Sequence, residues 1–245
     1  MSGGIDWPAT QRLLSVTPDG IPGPQTYAAL FRVVGPLARP EVLQSLGHAA
    51  AIHFPRYGIT DSIPRLADII AQGANETGGF TVWEENLHYS AARIHAVWPK
   101  RFPTVESATP FAWDPTDPDR EDIALADRVY GDRMGNQVNG LNDDDGWESR
   151  GMGYLMMTGL ANRAATNKRL GIGLDLNPEL AKEPALSLLI ACDFYQTNGV
   201  LRAIDEGDLI GARRITNVGD RHARMIPIGW DNVQALRAKV LTKLL

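Results

Sequence analysis

Asn75-Glu76-Thr77-Gly78-Gly79-Phe80-Thr81-Val82-Trp83-Glu84-Glu85-Asn86-Leu87-His88-Tyr89-Ser90 is the stretch on which the reading turns. An apolar run at helical spacing, Leu66, Ile69, Ile70 and Ala74, precedes it and places Glu76 where that helix should end. Gly78-Gly79 then breaks the helix, because two consecutive glycines favour a turn. Were the segment one unbroken helix, Glu76 and Glu85 would face opposite sides, about 13 Å apart along the axis. The glycine pair lets the chain reverse, so that both carboxylates could line one cleft. Two carboxyl groups across a cleft are the usual equipment for cleaving a glycosidic bond. On chemistry alone, a Glu at a helix end before two glycines is most often a solvated C-terminus.

Upstream, residues 8–14 and 25–31 read as short helices around the turn signal Thr17-Pro18-Asp19-Gly20. Residues 35–40, with two prolines, read as a linker. Residues 41–54 read as a helix with Val42, Leu43, Leu46, Ala50 and Ile52 apolar and with Pro55 as its stop. Ser62 is placed to cap the helix that carries the chain to Glu76, with Pro64 tolerated in its first turn. Downstream, helices are expected over 90–98, 121–130 and 184–198, from Asp208 through Ile215, and from Asp231 to the end. Residues 109–119 and 131–149 read as irregular. Strand signals are sparse, and 153–158 is the best candidate for a hairpin. The fold class is mainly α, with a small β-hairpin beside a cleft.

Composition bounds the function. With 245 residues, 44% hydrophobic and 22% charged, the chain has the make-up of a globular protein with one large domain or a main domain plus an appendage. A net charge of −5 gives no basic footprint for nucleic acid and no general attraction to an anionic surface. The single cysteine, Cys192, excludes an internal disulfide and sits in an apolar helical run as a core residue. The first residues carry no basic start and no apolar core, so no secretory signal is expected, and no apolar run approaches the length of a membrane span. Asp143-Asp144-Asp145-Gly146 fails as a calcium loop: with Gly146 in sixth place, first and twelfth positions would be Leu141 and Met152. No His-Glu-x-x-His is present, and His88 and His95 lack a third ligand nearby. Neither a metal nor a cofactor is expected.

Glu-Thr-Gly-Gly at 76–79, followed by Glu-Asn-Leu-His-Tyr-Ser at 85–90, resembles the catalytic segment of glycoside hydrolase family 19, which contains chitinases and the lysozyme-like endolysins of bacteriophages. The family usually has His before the first Glu; Asn75 stands there. Tyr130-Gly131-Asp132-Arg133-Met134-Gly135-Asn136 and Asp145-Gly146-Trp147-Glu148-Ser149-Arg150-Gly151-Met152-Gly153-Tyr154-Leu155-Met156-Met157-Thr158-Gly159 resemble its second cleft segment. Arg213-Arg214-Ile215-Thr216-Asn217-Val218-Gly219 resembles its late Asn-containing turn. By resemblance Glu76 is the general acid, Glu85 the base that activates water, and Thr158 the hydroxyl that helps hold that water. Glu84 is the competing assignment for the base. Asn162, Tyr130, Arg133, Trp147 and Asn217 are the implied substrate contacts; four residues after Thr158, Asn162 would share a helix face with it. The chain departs from the pattern at Met152 for an Arg, Met156 for a Gln and Arg163 for a Tyr. Met cannot hydrogen-bond a sugar as Gln can, so either the subsite differs or binding is weaker.

The resemblance implies a two-lobed, helical, lysozyme-like domain over 41–245, and inversion with the carboxyl groups about 6.5–9.5 Å apart. Residues 1–35, through Gln11-Arg12-Leu13-Leu14 and Asp19-Gly20-Ile21-Pro22-Gly23-Pro24, resemble part of a helical peptidoglycan-binding module, with a plain helical hairpin the equal alternative. That start favours peptidoglycan, cut between N-acetylmuramic acid and N-acetylglucosamine. A chitinase and an inactive wall-binding protein stay open. The expected setting is a monomeric endolysin that meets glycan strands but does not insert in a membrane, kept in the host cytoplasm until a separate pore releases it to the periplasm and wall.

Overall fold

A computed structural model of the protein describes residues 4–135 and 145–244, with only the backbone described for 118–121 and 145. Thirteen α-helices and no regular strand occur among them. The chain divides into two compact units: Met1–Trp83 with Gly153–Leu155 and Ala181–Leu245, and Glu84–Met152 with Met156–Leu180. Asn136, Asp143 and Asp144, quoted above, lie outside the described residues.

The first unit holds α1 (Trp7–Leu13), α2 (Pro24–Val34), α3 (Pro40–Arg56), α4 (Ile63–Glu76), α10 (Pro184–Thr197), α11 (Val200–Asp205), α12 (Leu209–Val218) and α13 (Trp230–Leu241). Its core runs through all of them but α1, whose Trp7 packs against it, and includes Phe31, Leu43, Phe54, Leu66, Ile70, Cys192, Tyr195, Ala212 and Val233. Residues from both sides of the proline-rich 35–40 segment share this core. At Gly47 a Cβ would lie 2.4 Å from the Pro24 carbonyl oxygen, so glycine permits α2 and α3 to meet. Helix α4 is the buried axis: every residue from Leu66 to Ala74 is buried. Ser62 caps it by accepting a hydrogen bond from the Arg65 N–H, as the sequence implied. Its small residues have a purpose, since a Cβ at Gly73 would fall 2.0 Å from the Tyr154 ring. The Tyr154 hydroxyl donates to the Ile69 carbonyl at 3.1 Å.

Several boundaries differ from expectation for identifiable reasons. Helix α3 continues through Pro55, because a proline in the last turn forfeits only one intrahelical bond. Ile52 is 63% exposed, lying off the stripe set by Leu43, Leu46 and Ala50, while Phe54 turns inward. Asp208 does cap α12, accepting from the Gly211 N–H at 2.9 Å. Asp231 does not cap α13; Gly229, at φ +75°, precedes its first residue, and Asp231 sits in the first turn.

The second unit holds α5 (Ala91–Val97), α6 (Val105–Ala108), α7 (Pro118–Tyr130), α8 (Asp145–Glu148) and α9 (Leu160–Leu170). Its core gathers Leu87, Ile94, Phe102, Ala108, Leu125, Ala126, Val129 and Tyr130. Helices α6 and α8 are four residues each, too short for a periodic pattern, and α8 falls within the stretch 131–149 expected to be irregular. Helix α9 carries three cationic residues and few large apolar ones, so its pattern is faint in the sequence. The expected hairpin reduces to isolated antiparallel bridges, Met152 with Met157 and Glu84 with Met152. Met152 and Met157 exchange both backbone hydrogen bonds, at 3.1 and 2.8 Å, around a turn that includes Gly153 and Met156 at positive φ. The fold is mainly α, as the sequence indicated. No helix among the described residues is long and apolar enough to cross a membrane.

Candidate active site

Glu76 is the last residue of α4, in the first unit. The turn after it uses three successive left-handed residues, Gly78 (φ +55°), Gly79 (φ +74°) and Phe80 (φ +67°). Glycine takes that conformation freely, whereas a residue with a Cβ pays about 1–2 kcal/mol. Phe80 is held there because its N–H donates to Thr77 Oγ1 at 2.9 Å and its buried ring packs on Phe31 and Tyr154. The sequence reading of a sharp break after Glu76 therefore has a definite geometry.

The Glu76 carboxylate, one-fifth exposed, is oriented from two sides. Arg213 Nη1 donates to Oε1 at 2.5 Å, and Asn75 Nδ2 donates to the same oxygen at 3.1 Å. No protein donor to Oε2 is found among the described residues. Arg213 is fully buried; Nη1 also donates to Gln72 Oε1, and Nε and Nη2 both donate to the Ile228 carbonyl. Gln72, one turn back from Glu76 on α4, also accepts from Thr216 Oγ1 and donates to Asp68 Oδ2 at 2.9 Å. Asp68 accepts from Tyr195 at 2.9 Å and pairs with Arg237 at 3.3 Å. Burial pushes the Asp68 carboxyl up; the Gln72 and Tyr195 hydrogen bonds and the Arg237 charge oppose that. Buried polar groups must be partnered, and this chain of partners runs from the centre of α4 to its end.

Glu85 belongs to the second unit. Its carboxylate accepts from the Tyr130 hydroxyl, at 3.0 Å to Oε1 and 2.8 Å to Oε2, and from the Gly151 N–H at 3.3 Å. Its own N–H donates to the Gly151 carbonyl at 2.8 Å, which fixes the backbone. Burial and the Glu85 charge push the Tyr130 phenol far above its ordinary value, so it stays protonated and stays a donor. Burial, then the same Glu85 charge, also raises Tyr89. Glu84, the competing assignment, is committed elsewhere. It pairs with Arg150, whose buried guanidinium lies 3.8 Å from the Trp147 ring centroid and also pairs with Glu179 at 3.2 Å.

Thr158 stands beside Glu85 with Gly151 between them. A Cβ at Gly151 would lie 3.3 Å from Thr158 Oγ1 and 3.5 Å from Glu85 Cβ, so glycine keeps that space open. The Thr158 hydroxyl donates to the Met156 carbonyl at 2.9 Å, and Asn162 Nδ2 donates to the Thr158 carbonyl at 2.8 Å. Tyr130 and Thr158 thus lie beside Glu85, and Asn162 is tied to the Thr158 backbone. Arg133 is exposed and its guanidinium lies 5.3 Å from the Tyr130 ring centroid. One face of Trp147 is covered by Arg150. Asn217, in the first unit, accepts from the Ile228 N–H at 2.9 Å and anchors the segment after α12.

The departures have structural uses. Met152 is buried and serves the backbone bridges to Glu84 and Met157. Arg163 is buried and donates to the Glu148 carbonyl at 2.6 Å, placing a cation at the C-terminus of α8. Three residues that organise the site were not assigned from the sequence: Arg213, Arg150 and Gly151. Arg213 lies 137 positions from its carboxylate partner and Arg150 lies 66, so no local period marks them.

No family model matches the chain. Over 140 residues it is 31% identical to a protein of Haemophilus influenzae described as a glycosyl hydrolase family 19 domain-containing protein. The match covers 57% of this chain and 64% of that relative, slightly less than two thirds of the relative's length. The description of this relative supports the resemblance to glycoside hydrolase family 19.

Proposed function

We propose that the chain is a glycoside hydrolase that cuts peptidoglycan between N-acetylmuramic acid and N-acetylglucosamine by inverting acid/base hydrolysis. The observation that carries this is the setting of Glu85. Its carboxylate accepts from a phenol and a backbone N–H, with the Thr158 hydroxyl across an open glycine. These donors fix the orientation of the carboxylate, as the position of a general base requires. A water between Glu85 and Thr158 would lose its proton to Glu85 as it attacks the anomeric carbon. Glu76 supplies the proton to the departing sugar oxygen through Oε2, the oxygen that Arg213 and Asn75 leave open. Glu84 takes no part, because Arg150 holds it. The family description of the relative supports glycosidic chemistry. The wall-binding-like residues 1–35 favour peptidoglycan over chitin, and an endolysin released by a separate pore is the setting proposed. Neither role calls for a metal or cofactor.

Clearing of permeabilised Gram-negative cells, with products identified by mass, tests this. Expected are disaccharide-peptide products with a reducing N-acetylmuramic acid end, abolished by Glu76→Gln. Release of sugar from chitin alone would make the protein a chitinase. Binding to walls without any cleavage would make it an inactive wall-binding protein.

A further inference from the structure

Residues 219–229 join α12 to α13 in the first unit and carry three exposed large apolar side chains. Ile226 and Ile228 are each 73% exposed and Met225 is 51% exposed, while Pro227 between them is buried. Exposed apolar clusters of this kind mark contact surfaces. The exposure does not come from a loose loop. The Ile228 N–H is held by Asn217 Oδ1, its carbonyl by two nitrogens of Arg213, and the Met225 carbonyl by Arg214 Nε at 3.2 Å. The backbone is anchored on both sides of the apolar tip, so the two isoleucines are presented at little ordering cost to a ligand.

The same anchors place the segment against the proposed acid. Arg213 bonds the Ile228 carbonyl and Glu76 Oε1. A Cβ at Gly229 would lie 2.8 Å from the Asn75 side-chain amide, so the segment's end packs on the residue next to Glu76. Two guanidinium groups accompany the apolar tip. Arg214 is turned onto the Met225 carbonyl, and Arg224 is exposed and makes no ion pair among the described residues, whereas Arg221 is committed to Glu206 and Asp208. The surface therefore offers aliphatic contact and, in Arg224, an outward guanidinium, in the segment that packs beside Glu76.

We infer that residues 224–228 bind the short peptide branches of the glycan, with Arg224 pairing a branch carboxylate and Ile226 and Ile228 covering its aliphatic side chains. This rests on the reading of the protein as a peptidoglycan hydrolase and names how it tells a peptide-bearing strand from a bare one. The pairing of charge with aliphatic surface carries the choice of occupant: peptide branches bring free carboxylates and aliphatic side chains together, whereas a strand stripped of peptide brings only the lactyl carboxylates of its N-acetylmuramic acid residues and no aliphatic side chain. Guanidinium is the group suited to paired recognition of a carboxylate.

The test uses the full chain on purified sacculi and on the same sacculi stripped of peptide by an amidase. Arg224→Ala and the double change Ile226→Ser with Ile228→Ser are expected to raise KM on peptide-bearing sacculi by about 5–20-fold, with kcat unchanged, and to leave stripped glycan cleavage unaltered. Equal effects on both substrates, or none on either, overturn the inference while leaving the hydrolase standing. A parent chain that cleaves neither substrate overturns the hydrolase and this inference with it. Pull-down of Glu76→Gln protein on both kinds of sacculi reads binding independently of turnover, and a preference for the peptide-bearing form that Arg224→Ala abolishes is expected. Circular dichroism confirms that each variant folds. Binding of the parent chain to vesicles of phosphatidylglycerol and phosphatidylethanolamine, lost in the double variant with sacculi unaffected, would assign the tip to a membrane instead and overturn the inference.

Discussion

Glu76 closes a buried helix and shares one oxygen with a buried guanidinium, while Glu85 sits on bridged backbone and takes a phenol and a peptide N–H. The first carboxylate is the end of a chain of partners that passes through Arg213 and Gln72 to Asp68, Tyr195 and Arg237. The second has short connections, all within reach of Gly151 and Tyr130. The difference teaches that the two carboxyl groups are held by different means, one by a fixed charge and one by neutral donors. A guanidinium is a fixed charge whose removal leaves buried acceptors without a donor, so Glu76 is tied to the stability of its unit. A phenol is neutral and replaceable in shape by phenylalanine, so the support of Glu85 can be removed with little damage to the fold.

Removing the carboxylates themselves should have the largest effect. Glu76→Gln and Glu85→Gln should each lower kcat on sacculi by at least about 10²–10⁴-fold, the usual contribution of a positioned acid or base. Both proteins should keep their circular dichroism spectra. An active Glu85→Gln enzyme would remove the base from the scheme. Next comes Arg213→Met, which strands Glu76, Gln72 and the Ile228 carbonyl together. Breaking a buried ion pair by removing one partner costs about 3–5 kcal/mol, so denaturant midpoints should fall clearly and activity with them. A midpoint within experimental scatter of the parent would mean that the guanidinium is not the keystone of this network.

Tyr130→Phe sharpens the contrast. It removes a hydrogen bond to a charged group, worth about 1.5–3 kcal/mol, so kcat should fall by about 10–100-fold with KM unchanged. Its stability difference from the parent should also depend on pH in a defined direction. The folded Tyr130 pKa is raised above the ordinary value of 10, by burial first and then by Glu85. A raised pKa gives stability that is fully present below pH 10 and is lost as pH rises through the folded value. The gap between parent and Tyr130→Phe should therefore narrow above pH 10. A gap that stays constant there would show that the phenol is not held neutral beside Glu85.

The local features of this arrangement were legible in the sequence. Ser62 as a cap, the apolar stripe of α4, its end at Glu76 and the diglycine break all follow from spacing and glycine chemistry. Asp208 as the cap of α12 follows from residue type in the same way. What the sequence did not reveal are the partners. Arg213 was visible only as part of a weak match, because nothing near it says that Glu76 packs beside it. Asn217, an implied substrate contact, accepts from the Ile228 N–H through Oδ1, a contact between positions eleven apart that no local pattern announces. Helix α9 is implied only through the shared face of Thr158 and Asn162, because its buried residues, Arg163 and Thr166, are polar and give no apolar stripe. Pattern reveals which face is apolar; it is silent on which buried cation meets which buried carboxylate.

The smallest effect expected belongs to the neighbour of Glu85. Glu84 and Glu85 are adjacent, and the match to Glu-Asn-Leu favours Glu85 as the base. Glu84 has a partner of its own in Arg150, which is 4% exposed at its side chain, stacks on Trp147 and pairs with Glu84 and Glu179. Glu84→Gln keeps a hydrogen-bond acceptor for Arg150, and Glu179 still supplies a negative charge. Glu84 is itself 44% exposed at its side chain, so solvent screens its pair, and the loss should be about 1 kcal/mol or less. Activity should stay within about twofold of the parent, since Glu85, Tyr130, Gly151 and Thr158 are untouched. Parallel clearing assays on Glu84→Gln and Glu85→Gln make this decisive. Loss of turnover in the first with retention in the second would exchange the two roles, and the phenol on Glu85 would then be structural support for a carboxylate that does no chemistry.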